Sequence, residues 1–126
     1  MLALQTNSSA NRQPASQAPW QLSLLWQMQQ SFRPERLAWI TLINQDWYPL
    51  AKTCDYFQLP KAHWLRVKLS TAEQLQELII CGQHQIVVVP SQLLSPWPWS
   101  HWQRLALRHR CQILPVLSPA QEELAN

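Results

Sequence analysis

The segment WLRVKLSTAEQLQELIICGQHQIVVVP, residues 64–90, reads as strand, helix and strand, and it decides the fold. Leu65, Val67 and Leu69 alternate with Arg66 and Lys68, the period of a half-buried strand near a sheet edge. Ser70-Thr-Ala-Glu73 fits a capping box, in which hydroxyl and carboxylate each satisfy a free backbone amide at a helix start. Leu75, Leu78 and Ile79 form the inward stripe of that helix. Gly82, the one glycine of the chain, stands where a helix stop calls for a positive φ. Gln85–Val89 (QIVVV) is an unbroken apolar run closed by Pro90, which suits a central parallel strand covered on both faces.

The same alternation extends outward from this unit. Trp20–Ser31 predicts a helix that turns Leu22, Leu25 and Trp26 inward. Ala38–Ile43 (AWITLI) is a strand, and Asn44–Asp46 its turn. Asp46 is placed to cap a helix that tolerates Pro49 in its first turn and runs to about Phe57, before Pro60. Ser95-Pro96, or Ser100 after Pro98, starts a further helix with Trp102, Leu105, Ala106 and His109 at helical spacing. Gln112–Leu117 is the last strand, an edge strand because Pro115 has no amide for the ladder. The fold class expected is α/β: a small, mostly parallel sheet with helices on both faces. Residues 20–118 form the domain. Residues 1–19, rich in Asn, Ser, Gln and Pro, read as a disordered tail, and 119–126 as a flexible one.

Composition bounds the function. A chain of 126 residues is one domain, large enough to fold without disulfide or metal. Ten Lys+Arg against seven Asp+Glu leave a formal charge of +3, weaker than the dense basic stripe of a dedicated nucleic-acid binder. Three well-separated cysteines do not make a secreted disulfide framework, and no stretch has the length and apolarity of a membrane span. A cytoplasmic protein follows. Eight Trp residues are more indole than so small a core hides, so some should lie on the surface.

The chemistry-bearing motifs are mostly absent. Phosphate loops need glycines so that backbone amides reach the phosphate, and a chain with one Gly holds neither GxGxxG nor GxxxxGK[ST]. No GxSxG elbow occurs, and Asp46 and Asp55 have no patterned partner. Cys81 and His84 have the spacing of a metal pair but no evident further ligands, so neither metal nor cofactor is expected. Arg104, Arg108, His109 and Arg110 form a short basic patch near Trp97, Trp99 and Trp102; a solvated helix face explains it more simply than nucleic acid. Pro96-Trp97-Pro98-Trp99 is a rigid aromatic cluster, suited equally to anchoring a partner and to packing over the sheet end.

Trp39-Ile-Thr-Leu-Ile-Asn-Gln, Leu59-Pro60, Trp64-Leu-Arg-Val67, Cys81–Val89 and Trp102–Val116 together resemble the SulA-like cell-division inhibitors, over roughly Leu22 to Leu117. The resemblance implies a RecA-like core stripped of its nucleotide loop and no enzymatic activity. It implies expression in the bacterial SOS response to DNA damage, homodimers, and removal by the Lon protease. It also implies binding to the tubulin-like division protein FtsZ at its polymer-growth face, so that septation is delayed. Family contact positions fall on or near Arg36 before the first strand, Ile43 at its end and Thr53 in the next helix, with Trp47 as a substitute for the family's Trp. A family Lys falls near His63, with Lys61 close by. A second reading is a RecA-like accessory factor of DNA repair or translesion synthesis that uses Arg104–Arg110 on DNA or on a recombinase.

Overall fold

The computed structural model describes residues 17–117; of the expected tails 1–19 and 119–126, residues 1–16 and 119–126 lie outside the described residues, while Gln17 is buried and Pro19 already starts a helix. The elements run α1 (Pro19–Ser31), β1 (Trp39–Ile43), α2 (Ala51–Phe57), β2 (Trp64–Val67), α3 (Ala72–Ile80), β3 (His84–Pro90), α4 (Ser91–Leu94), α5 (Trp99–Arg108) and β4 (Gln112–Val116). The four strands form one sheet in the order β2-β1-β3-β4, and every pair is parallel. This is the α/β class expected. The strand order reverses direction between β1 and β3, the place where open α/β sheets usually receive ligands.

The core has two layers. Ile86 and Val88 point with Ile40, Leu42 and Leu114 toward α1 and α2, where Leu24, Leu25, Met28, Cys54 and Phe57 meet them. Val87 and Val89 point with Ile43 and Ile113 the other way, against Leu75, Ile79, Trp102 and Leu105 of α3 and α5. All seven residues of β3 are buried, as the apolar run required. β2 and β4 are the edges, and Pro115 sits exposed in β4. Gly82 takes φ +77 at the end of α3, the conformation for which glycine is suited.

Three local expectations are corrected. In α1 the buried residues are Leu24, Leu25 and Met28, while Leu22 and Trp26 face outward. Apolar residues of the helix are spread over more than one face among Gln and Ser, so its periodicity did not single out the buried one. The cap of α3 is Thr71, one residue later than expected. Its hydroxyl accepts the Gln74 amide at 3.1 Å, and the Gln74 side chain accepts the amides of Thr71 and Ser70 at 3.3 and 2.7 Å. Asp46 caps nothing: it is exposed in a loop, and α2 begins only at Ala51. The amide of Leu50, just ahead of α2, donates instead to Gln17 Oε1 at 2.7 Å.

Candidate protein-binding surface

At the amino ends of β1 and β2 the segment between α1 and β1 is held from below by a buried side chain. Gln85 Oε1 accepts the Arg33 amide at 2.9 Å, and its Nε2 points at the carbonyls of Arg33, Arg36 and Ala38 at 3.3–3.4 Å. The segment thus fixed carries Leu37 at 87% exposure, the most exposed large apolar side chain of the described residues. The Arg36 guanidinium donates to the carbonyls of Arg110 and Gly82, which ties together the loops that enter β1, β3 and β4.

The facing wall is Gln58–His63. Gln58 and His63 both adopt positive φ, 58° and 69°, conformations uncommon outside glycine. The Trp64 indole donates to the Pro60 carbonyl at 2.6 Å, and the exposed Lys61 pairs with Asp55 at 3.1 Å. Between the walls lies a cleft of about 300 Å³ lined by Phe32, Pro34, Arg36, Leu37, Pro60 and His63 among others. An apolar floor with a cationic rim is what a protein partner with an apolar anchor and nearby acids would fill.

A broader groove of about 720 Å³ runs between α1 and α2, lined by Leu22, Trp26, Lys52, Thr53 and Tyr56 among others. Leu22, Trp26 and Tyr56 are all exposed there. A third hollow, of about 320 Å³ beside the carboxyl ends of β1 and β2, is lined by Gln45, Asp46, Val67 and Lys68, with Arg66 over the Tyr48 ring at 4.7 Å.

The six positions carried over from the family do not form one patch. Arg36 and His63 share the cleft, whereas Lys61 is not among its lining residues and pairs with Asp55. Ile43 is 0% exposed within the α3–α5 layer, so its side chain offers a partner nothing, and its expected contact role is corrected. Thr53 is 9% exposed at the floor of the α1–α2 groove. Trp47 is half-buried at the opposite end of the sheet, edge-on to Trp20 with ring centroids 5.7 Å apart. Two residues that build the cleft carry no signal of it in the sequence: Leu37 lies between a helix and a strand, and Gln85, which holds the cleft wall from beneath, opens a run of apolar residues.

The Trp97–Trp99 question divides. Trp97 packs on Trp102 and His101 at 5.3 and 5.0 Å, whereas Trp99 is 43% exposed. The Cys81–His84 pair does not converge: Cys81 is exposed with its thiol on the Leu78 carbonyl, while His84 is buried with Nδ1 2.5 Å from Thr41 Oγ1. Among the described residues no three His, Cys, Asp or Glu side chains gather as metal ligands. Burial pushes the Cys54 thiol up to about 11 and the Cys111 thiol up to about 12, so neither is a nucleophile at neutral pH.

At the strand-order switch there is no phosphate cradle. The loop after β1 begins with Asn44 at φ 56, whose side chain donates to the Leu69 carbonyl and accepts the Leu69 amide at 2.9 and 2.8 Å. The loop after β3 passes from Pro90 straight into α4, and Ser91 Oγ is spent on the Val116 carbonyl at 3.2 Å.

No protein-family model matches the chain, and no curated protein matches it. Among solved structures, the crystal structure of SulA from Pseudomonas aeruginosa is similar at 19% identity, over 81% of this chain and 91% of that one, with a TM-score of 0.46. No helix of the described residues is long and apolar enough to cross a membrane.

Proposed function

We propose that the chain is a SulA-like inhibitor of bacterial cell division that binds FtsZ in the cytoplasm and blocks its polymerisation, without chemistry of its own. The observation that carries this reading is the cleft at the amino ends of β1 and β2. It brings Arg36 and His63, two of the positions the sequence resemblance picks out, beside the exposed Leu37. Blocking a polymer needs only that one growth face be occupied. A few anchors supply most of the affinity, and rim cations steer the encounter with an acidic surface. Full burial of a leucine side chain is worth about 1.5–3 kcal/mol, so Leu37 alone accounts for a tenfold or larger effect on affinity. A homodimer and turnover by Lon belong to the same reading.

The test is pelleting of GTP-assembled FtsZ with and without the purified chain. The wild type should leave FtsZ in the supernatant, and Leu37→Asp combined with His63→Glu should restore the pellet. If the double variant inhibits as well as the wild type, the cleft is not the contact surface.

A further inference from the structure

The outward face of α5 is used by nothing described so far. Trp99, Gln103 and Leu107 stand in one row at intervals of four residues, and Ser100, Arg104 and Arg108 form the row beside it; all six are exposed. Leu107 is 82% exposed and Trp99 43%. The helix carries no acidic residue, and among the described residues neither Arg104 nor Arg108 enters an ion pair. On α3, the helix packed beside it, the charged groups are Glu73 and Glu77, and His101 Nε2 of α5 lies 2.8 Å from Gln76 Oε1 of α3. Just beyond α5, Arg110 takes φ 56 and its carbonyl receives the Arg36 guanidinium. The Arg36 side chain of the cleft thus reaches the backbone of the loop that follows α5.

We propose that this face docks an acidic segment of the protein the chain inhibits, with carboxylates on Arg104 and Arg108 and an apolar side chain on Leu107. The inference rests on the functional reading above. Charge sets the sign of the partner: the guanidinium row calls for anions, and arginine forks match carboxylates two bonds at a time. Leu107 sets its class. A nucleic-acid backbone laid along the arginines would leave an exposed leucine against phosphates and sugars, whereas a peptide offers it an apolar neighbour. Trp and Arg are also the residue types that dominate protein–protein affinity when covered.

The experiment measures FtsZ binding to the full chain by biolayer interferometry at roughly 50 and 300 mM salt, where screening lengths differ more than twofold. Wild type is compared with Arg104→Glu/Arg108→Glu and with Leu107→Ser, each checked by thermal melting for an intact fold. Fluorescent dT20 is titrated in parallel. The expected result is at least tenfold weaker binding by the double variant, loss of most of the salt dependence with it, and a severalfold loss for Leu107→Ser. If wild type binds FtsZ and both variants bind equally well, the α5 inference fails and the functional reading stands. If wild type does not bind FtsZ at all, the functional reading fails and takes the inference with it. If dT20 binds with steep salt dependence, is released by the double variant and is indifferent to Leu107→Ser, the face serves nucleic acid and the proposal is overturned.

Discussion

Lowering the pH below neutrality should destabilise the domain through one residue, His84. It is 6% exposed at the start of β3, and burial holds its imidazole below the ordinary 6.5. Its Nδ1 is engaged with Thr41 Oγ1, which is itself fully buried. The unfolded chain therefore binds a proton near pH 6.5 that the folded chain refuses. Because the unfolded state holds more protons, stability rises with pH: it is fully present above about 6.5 and falls as pH drops toward the depressed folded value. One such proton limits the slope to about 1.4 kcal/mol per pH unit. Between pH 7.5 and 5.5 the loss does not exceed about 1.4 kcal/mol, a melting shift of at most about 4–8 °C for a domain of this size. Far-UV circular dichroism melts at half-unit steps, for wild type and His84→Gln, isolate the effect from the other histidines. The wild-type melting temperature should fall more steeply than the variant's below pH 6.5. Parallel curves would show that His84 titrates alike in both states and refute the reasoning.

Substitutions at three further positions test the packing. Trp102 is fully buried and its indole donates to the Leu94 carbonyl at 2.9 Å, so Trp102→Phe should cost about 1–3 kcal/mol and Trp102→Ala about 3–5 kcal/mol by urea denaturation. Gly82→Ala should cost about 1–2 kcal/mol from backbone strain alone, because the added Cβ would meet nothing nearer than the Ile80 carbonyl at 3.9 Å; Gly82→Asn should cost less. Gln85→Leu should lower stability by about 1–3 kcal/mol, since it strips the Arg33 amide of its buried partner, and should speed hydrogen exchange in residues 33–38 while sparing β3. Unchanged exchange there would mean that Gln85 does not hold the cleft wall.

What was legible in the sequence was what local chemistry decides. A short run of β-branched residues closed by a proline suits a strand covered on both sides, and a lone glycine after an amphipathic helix suits its stop; β3 and Gly82 followed. Pro115 announced an edge. Sequence reading failed where two local signals competed or where the partner came from far along the chain. Ser70-Glu73 and Thr71-Gln74 are equally good boxes, and packing of Ala72, Leu75 and Ile79 chose the second. Asp46 was a sound cap in isolation, yet the Leu50 amide found Gln17, 33 residues away. The cleft was half visible. Arg36 and His63 were named by resemblance, but the bond network that joins their loops runs through Gln85 and the Arg110 carbonyl, 52 and 74 residues from Arg33 and Arg36. Ile43 shows the opposite error, since a position aligned with a surface contact here closes the core.

The account stands or falls on whether this chain acts by covering a division protein's growth surface. Light scattering of purified FtsZ after addition of GTP, with the chain titrated in, measures that directly. Scattering should fall in proportion to the amount added and reach baseline near equimolar. An undiminished signal with the chain in excess would contradict the account.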